Sequence, residues 1–364
     1  KEARKHTDKP LLNAGNHDPE SAVRLIESGE ADFVMMGRPL IADPDLPNKL
    51  MNGLRDEVRP CIRCNEFCIG RIWNNHTKLG CAVNVEAMEE VRFQIEKTEN
   101  PLNVVIVGAG PGGLEAARVA ATAGHKVAIY DKGSVLGGTM RTIATSNFKT
   151  KIAELARYYE VMLNKLGVEI HLNTEVKGDE DFLEKADRII VGTGAVPFKP
   201  NIPGVNCDKV IDIVSAHANE ELIKGDNIVI CGGGLSGCEA ALELAEEKGK
   251  NVTVVEMLGE FAKDAMFINK ITLFNKLAEN NVTLLANTKV VGITDEGVEV
   301  ETADGRKFLP ADTIISSFGM RALTCVADKI DAKYHNKTRK VGDLYKMGKI
   351  GDAIRQGYYA GSSI

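Results

Sequence analysis

The sequence predicts an α/β fold holding two Rossmann-like dinucleotide-binding units, and three observations carry that prediction. A buried-strand run, 103–107, leads directly into Gly108-Ala-Gly110-Pro-Gly-Gly113 and an Ala-rich helical stretch over 114–123. The same order recurs at 227–231, 232–237 and 238–248, about 124 residues later. Each copy continues into a second strand, 126–130 or 251–255, that ends on an acid, Asp131 or Glu256. Strand, glycine turn, helix and strand written twice is a duplicated βαβ unit.

Length and composition bound the rest. A chain of 364 residues suits two or three domains. Its 44% hydrophobic and 26% charged residues describe a globular protein. A net charge of -6 provides no basic face for a phosphate backbone, so no nucleic-acid partner is expected. No run of about 18 apolar residues occurs, so no membrane partner is expected either. The chain opens Lys1-Glu2-Ala3-Arg4, without initiator Met or signal-peptide pattern, which reads as the inside of a longer protein. The eight cysteines are too dilute for a secreted disulfide scaffold, and a cytoplasmic location is expected.

Each glycine of the first fingerprint has a job. Gly108 permits the tight turn, Gly110 lets a pyrophosphate approach the backbone, and Gly113 lets helix and strand pack closely. The helix start adds free N–H groups and a positive dipole end. Asp131 stands where an acid binds ribose hydroxyls. In the second copy the corresponding residues are Gly232, Gly234, Gly237 and Glu256. A carboxylate there accepts from a 2′-hydroxyl and repels a 2′-phosphate. No Arg or Lys occurs in 257–262, so NADH is favoured over NADPH; the alternative is a solvated strand end.

Four cysteines are packed together as Cys61-x2-Cys64-x3-Cys68-x12-Cys81. Three thiolates from one loop and a fourth returning can wrap a [4Fe–4S] cubane. A zinc site usually shows two C-x2-C pairs, and only one is present. Zinc and unligated thiols stay open as alternatives. Arg59, Arg63 and Arg71 flank the set and would temper an anionic cluster. Cys231 and Cys238 read as core. No cysteine occurs in 139–150 to face a flavin, which argues against a disulfide reductase.

The first 58 residues read as βαβα: strands at 10–14 and 32–36, helices at 19–28 and 43–50. A two-strand parallel unit cannot cover both faces, so apolar strands near Leu11 and Val34 should lack partners. Gly15 and Gly37 each follow a strand. Their backbone N–H groups and the Arg38 guanidinium suit a phosphate. His17 is in the same loop and reads as a surface histidine more readily than as a ligand contact. A charged helical connector is expected over 86–97, with Glu86–Glu90 as a solvated face. A hairpin at 298–302 and 307–309, a strand at 312–316 and a helix at 351–361 complete the reading.

The two fingerprints, with Leu136-Gly-Gly138, Gly192-Thr193-Gly194-Ala-Val-Pro197, Ser317-Phe-Gly319-Met-Arg321 and Val341-Gly-Asp343, resemble the two-dinucleotide-binding-domain flavoproteins over about 260 residues. The resemblance implies FAD on the first unit, held by Gly108, Gly110, Gly113, Asp131, Gly138, Thr193, Gly194 and Asp343, and NADH on the second, inserted in the first. One departure is the polar 333–340 stretch where an apolar strand normally precedes the Gly-Asp pair. The opening βαβα resembles the end of an old-yellow-enzyme (β/α)8 barrel, which implies an FMN phosphate on Gly15, Gly37 and Arg38; Ala14-Gly15 replaces the usual glycine pair.

The whole order resembles the 2,4-dienoyl-CoA reductase, 2-enoate reductase and trimethylamine dehydrogenase family. It implies a barrel end at 1–58 and an iron–sulfur segment and linker at 59–98. An FAD domain at 99–205 and 311–364 and an NAD(H) domain at 206–310 follow. It also implies a relay from NADH through FAD and [4Fe–4S] to FMN, reducing a small molecule with an activated C=C bond. A homo-oligomer is compatible with it. Catalytic acids are expected in barrel residues outside this sequence, and none is assigned here. The alternatives are an amine dehydrogenase, whose cysteine spacing is tighter, and a standalone NADH-linked electron-transfer module.

Overall fold

The computed structural model describes residues 2–364. At the N-terminus, β1 (Leu12–Ala14) is followed by α1 (Pro19–Glu27) and β2 (Phe33–Met35), and the strands pair in parallel with Leu12 opposite Phe33. Asp18 starts α1 by accepting from the Ser21 N–H at 2.9 Å. Two short helices, α2 (Arg38–Ala42) and α3 (Leu46–Met51), complete this unit. Two strands cannot hide their apolar residues. Leu12, Phe33 and Met35 are 57%, 58% and 55% exposed, whereas Leu11 and Val34 are half-buried. The uncovered face thus falls on the alternate positions from those expected.

The cysteine segment is mostly irregular and contains one helix, α4 (Ile69–Asn75). The connector helix expected over 86–97 does not form; that stretch is a series of turns. Met88 takes a left-handed φ of 66°, which stops a helix. Glu89 pairs with Lys78 at 2.6 Å and Arg92 at 3.3 Å, so its charge is satisfied without a helical i,i+4 row.

The first nucleotide unit runs β3 (Asn103–Val107), α5 (Pro111–Thr122), β4 (Lys126–Tyr130), α6 (Thr139–Ile143), α7 (Thr150–Lys165), β5 (Glu169–His171), α8 (Asp181–Lys185) and β6 (Arg188–Val191). The chain leaves through β7 (Ala195–Pro197). The second unit runs β8 (Val210–Asp212), α9 (Ile213–Ala218), β9 (Asn227–Cys231), α10 (Leu235–Leu242), β10 (Asn251–Val255), α11 (Phe267–Glu279) and β11 (Thr283–Leu285). A meander of β12 (Lys289–Thr294), β13 (Gly297–Thr302) and β14 (Gly305–Pro310) precedes β15 (Thr313–Ser316). The chain returns through β16 (Met320–Ala322) to α12 (Cys325–Tyr334), β17 (Thr338–Lys340) and α13 (Ile350–Ser362).

The first sheet has the order β5-β4-β3-β6-β17 and the second β11-β10-β9-β15-β8, all parallel. The second unit is inserted in the first, as expected. Sheet pairing moves one boundary: β15 is flanked by β9 and β8 inside the second sheet, so the return falls at β16 rather than at residue 311. Outgoing β7 and returning β16 pair antiparallel, Met320 opposite Pro197, and form a two-stranded neck. The expected hairpin is present with Thr302 opposite Gly305, and β12 adds a strand that was not foreseen.

The polar 333–340 stretch still ends in a strand because β17 is at a sheet edge. Lys340 pairs with Asp328 and Asp331 at 3.2 Å, and Lys337 donates to the Glu184 and Ala186 carbonyls at 2.7 Å. Behind the first sheet α13 lies directly on α5. A Cβ at Gly357 would be 2.0 Å from the Gly112 carbonyl oxygen, so only glycine permits that approach. Among the described residues, two hydrophobic clusters belong to the first sheet and two to the second unit, one of the latter taking in Ile202 and Val205 from the outgoing crossover.

Candidate functional site

The two glycine turns have the same internal geometry. Gly108 has φ 106° and a Cβ there would be 2.3 Å from the Gly192 oxygen; Gly232 has φ 115° and 2.2 Å to the Ser317 oxygen. A Cβ at Gly113 would be 2.0 Å from the Gly108 oxygen, and one at Gly237 2.1 Å from the Gly232 oxygen. Gly110 and Gly234 differ from these: a Cβ at either meets nothing within 4 Å. Glycine there is not demanded by the chain itself. The space beside it, at the N-termini of α5 and α10, suits the anionic part of a ligand.

The strand-end acids are also alike. Asp131 accepts from the Ala109 and Gly133 N–H groups, both at 2.6 Å. Glu256 accepts from the Gly233 and Leu258 N–H groups, both at 2.8 Å. Each carboxylate therefore braces its glycine turn from the end of the second strand. Both turns open onto one cleft of about 1790 Å³, larger than an ordinary single-ligand pocket. Gly138, Thr193, Gly194 and Asp343 line the same cleft, as does Cys64. The Thr193 hydroxyl donates to the Leu323 carbonyl at 2.9 Å, tying the outgoing crossover to the returning chain. Burial raises the Asp343 carboxyl above its usual range, against the Gly348 N–H that it accepts at 3.0 Å.

Sequence reading missed a set of charges where the two units meet. Lys149, 7% exposed, pairs with Glu239 at 2.9 Å. His217 approaches Glu243 at 3.2 Å, and the Thr145 hydroxyl donates to Glu243 at 3.0 Å. Burial works to raise the Glu243 carboxyl, but His217 and its other partners hold it below its usual range. In sequence these are an ordinary lysine, histidine and helix acids. Only the insertion topology brings them face to face, so no local pattern could have revealed them.

The four clustered cysteines are half-buried and unpaired. Burial raises the thiols of Cys61 and Cys81 and pushes Cys64 up to about 12. Cys61, Cys68 and Cys81 add to the rise at Cys64, so the sulfurs feel one another. The N–H groups of Arg63, of Glu66, and of Val83 with Asn84 offset part of it at Cys61, Cys64 and Cys81 respectively. Among the described residues no three His, Cys, Asp or Glu side chains form a group that could hold a metal ion. Of the flanking arginines, Arg59 donates to the Tyr158 hydroxyl at 3.2 Å, Arg63 pairs with Asp18 at 3.2 Å, and Arg71 lies over the Phe67 ring. Cys231 and Cys238 are fully buried, with thiols pushed to about 12 by burial, which fits a core role.

A second cavity, about 310 Å³, lies at the N-terminal unit and brings Gly15, Gly37 and Arg38 together with His17, Cys61 and Arg63. Arg38 donates to the side-chain oxygens of Asn16 at 2.9 Å and Asn65 at 2.6 Å. His17 bonds Asn13 at 2.7 Å. Burial works against the Asp18 carboxylate, but Ser21 and Lys151 overcome it and hold its pKa at about 2. Among the described residues no helix is long and apolar enough to cross a membrane.

Comparison with known proteins finds two family matches. Residues 102–345 match the pyridine nucleotide-disulphide oxidoreductase family and residues 1–57 the NADH:flavin oxidoreductase / NADH oxidase family. Cinnamate reductase of Clostridium sporogenes is 34% identical over 365 residues, covering 99% of this chain and 54% of that protein. NADH oxidase of Thermoanaerobacter brockii is 33% identical over 369 residues, covering 98% of this chain and 56% of that protein. The structure of a 2-naphthoyl-CoA reductase with 2-naphthoyl-CoA superposes with a TM-score of 0.93 at 30% identity, over 100% of this chain and 55% of that one. The chain thus spans about half the length of the curated relatives it matches.

Proposed function

The chain belongs to the pyridine nucleotide-disulphide oxidoreductase family, and on that premise we propose that it takes hydride from NADH onto FAD and feeds electrons, by way of a [4Fe–4S] cluster, to FMN for reduction of an activated C=C bond. The observation that carries this is the shared cleft: both glycine turns open onto it, each with unfilled space at its middle glycine. FAD supplies the conversion of a two-electron donor into single electrons. The protein binds, orients and separates the cofactors.

In this reading the α5 N-terminus and Gly108, Gly110 and Gly113 take the FAD pyrophosphate, and Asp131 takes its ribose. Gly138, Thr193, Gly194 and Asp343 complete that site. Gly232, Gly234, Gly237 and Glu256 take NADH. Gly15, Gly37 and Arg38 take an FMN phosphate, with the Arg63 guanidinium lining the same cavity. Cys61, Cys64, Cys68 and Cys81 hold the cluster. A cubane spreads its thiolates over four irons instead of gathering them on one ion. The mutual influence of these sulfurs, and the N–H groups that favour their thiolates, support that fit. Two relatives named as reductases carry a conjugated acid or an aromatic acyl-CoA in their names, which supports a small unsaturated substrate for the complete protein. Unpaired thiols fit a reducing cytoplasm. A homo-oligomer is compatible with this reading.

The test uses the full chain, purified without oxygen and loaded with FAD. NADH should reduce an artificial dye with kcat/KM about tenfold or more above NADPH, and Glu256→Ala should narrow the gap by removing a ribose acceptor and a repulsive charge. About four irons per chain are expected, lost in Cys64→Ser with FAD retained. Equal use of NADPH, or zinc in place of iron, would overturn the corresponding assignment.

A further inference from the structure

The β7–β16 neck joins the second nucleotide unit covalently to the first, and among the described residues no hydrophobic cluster contains strands of both sheets. Helix α9 packs on α6 of the first unit, and polar contacts at two further places add to its seating. At one end the unit meets the 139–152 stretch through Lys149–Glu239, Thr145–Glu243 and the Asn147 N–H on Glu247 at 2.8 Å. At the other end it meets the cysteine segment.

That second contact centres on Asn65, between Cys64 and Glu66. Asn65 is 8% exposed and takes a left-handed φ of 58°. Its Oδ1 accepts from Arg38 Nη1 at 2.6 Å, and its Nδ2 donates to Asn269 Oδ1 at 2.6 Å. Asn269, in the first turn of α11, returns its own Nδ2–H to the Cys64 carbonyl at 3.0 Å. Met266 lies beneath α4, where a Cβ at Gly70 would be 3.5 Å from its Cγ. Lys349, just ahead of α13, donates from Nζ to Glu66 Oε1 at 2.8 Å and to the Asp264 carbonyl at 2.5 Å. Asp264, Met266 and Asn269 also line the cleft shared by the two glycine turns.

We propose that Asn269, engaged by Asn65 and the Cys64 carbonyl and supported by Lys349, is a positioning residue that seats the NADH-binding unit on the cysteine segment in the arrangement from which hydride reaches FAD. This rests on the reading of the two turns as FAD and NADH sites. The step balances as NADH, FAD and a proton giving NAD⁺ and FADH2. Hydride transfer needs its reacting atoms within about 3–3.5 Å, and a unit carried on a two-stranded neck holds that spacing only where something fixes its tilt. A two-way amide contact fixes both distance and rotation. Because Asn65 also holds Arg38, the same residue connects the seat to the N-terminal phosphate cavity.

The experiment is anaerobic rapid mixing of the FAD- and iron-loaded full chain with NADH, following flavin bleaching, for wild type, Asn269→Ala and Lys349→Met. Amide hydrogen exchange is followed in parallel at Gly70, whose N–H donates to the Asn65 carbonyl at 2.8 Å. Asn269→Ala should lower the limiting rate about tenfold with the NADH dissociation constant held within about twofold, since the glycine turn and Glu256 are untouched. Exchange at Gly70 should accelerate in the same variant, and Lys349→Met should move both readouts the same way by less. An unchanged or faster limiting rate in Asn269→Ala, beside normal wild-type bleaching, overturns the seat alone. A wild-type flavin that NADH does not bleach overturns the functional reading and the positioning role together.

Discussion

The two nucleotide units start from the same motif and diverge behind it. Their glycine turns agree to within 0.1 Å in the nearest contact a Cβ would make at the first and third glycines. The helices that follow do not agree. In α5 ten residues, 112–121, are buried, because α13 covers it from outside. Within it Glu115 is fully buried and takes Arg118 through two hydrogen bonds of 2.7 and 2.8 Å, with the Tyr159 hydroxyl at 3.1 Å. By contrast α10 runs into a π-helical turn, Glu243–Glu247, whose acids reach out to Thr145, Asn147 and Lys276. In the proposed reading the same turn chemistry serves two different tenants. A fixed cofactor suits a helix locked on every side, and an exchanging coenzyme suits a unit held by polar contacts.

Breaking the lock should have the largest effect. Arg118→Met strands a buried Glu115 carboxylate and should cost about 3–5 kcal/mol in denaturant unfolding of the first unit. Replacing both partners, Glu115→Leu with Arg118→Met, should recover most of that loss. A double variant no more stable than the single one would show that the pair does more than neutralise itself.

The middle glycines sharpen the comparison at a smaller scale. Gly110→Ala should weaken FAD about tenfold or more and leave NADH binding intact, and Gly234→Ala should do the reverse. Neither should lower Tm much, because a Cβ at either position meets no protein atom. Gly113→Ala, forced against the Gly108 oxygen, should cost about 1–3 kcal/mol or more. A Gly110→Ala variant as unstable as Gly113→Ala would mean that the open space is not a ligand space.

The smallest effect concerns the N-terminal unit, which lacks a comparable core. The Asp18 pKa is held at about 2 against an ordinary 3.8. Its contribution is therefore complete above the ordinary value and lost as pH falls through about 2. Acid titration followed by hydrogen exchange in α1 should show loosening within that window, and Asp18→Asn should abolish the pH dependence while leaving α1 capped. Loosening that begins near neutral pH would point to another group.

Backbone geometry written in consecutive residues was legible. The glycine turns, their strand-end acids and the four-cysteine spacing are local patterns set by backbone geometry. Residues 86–97 misled because acids at helical spacing also serve partners outside a helix, as Glu89 does with Lys78. The boundary at 311 was misplaced because β15 is an apolar strand like any other, and only its pairing with β9 and β8 assigns it. Lys149–Glu239 and Asn65–Asn269 bridge separate units, with no periodicity to announce them. Local motifs set the glycine turns; the contacts that orient the units are long-range and stay invisible until the chain is folded.

The packing of α13 on α5 has a consequence for how the chain matures. Gly112 and Gly357 touch backbone to backbone, yet the entire second unit is made between them. During synthesis α5 emerges early and waits with an uncovered face while some two hundred further residues leave the ribosome. Loop-closure entropy makes a direct encounter of such distant segments slow. Folding of the inserted unit shortens the gap, because its ends leave side by side in the neck. The inserted unit then acts as an internal clamp for its host, and variants that delay its folding should accumulate a nascent chain exposing α5, a target for chaperones before the sheet is complete.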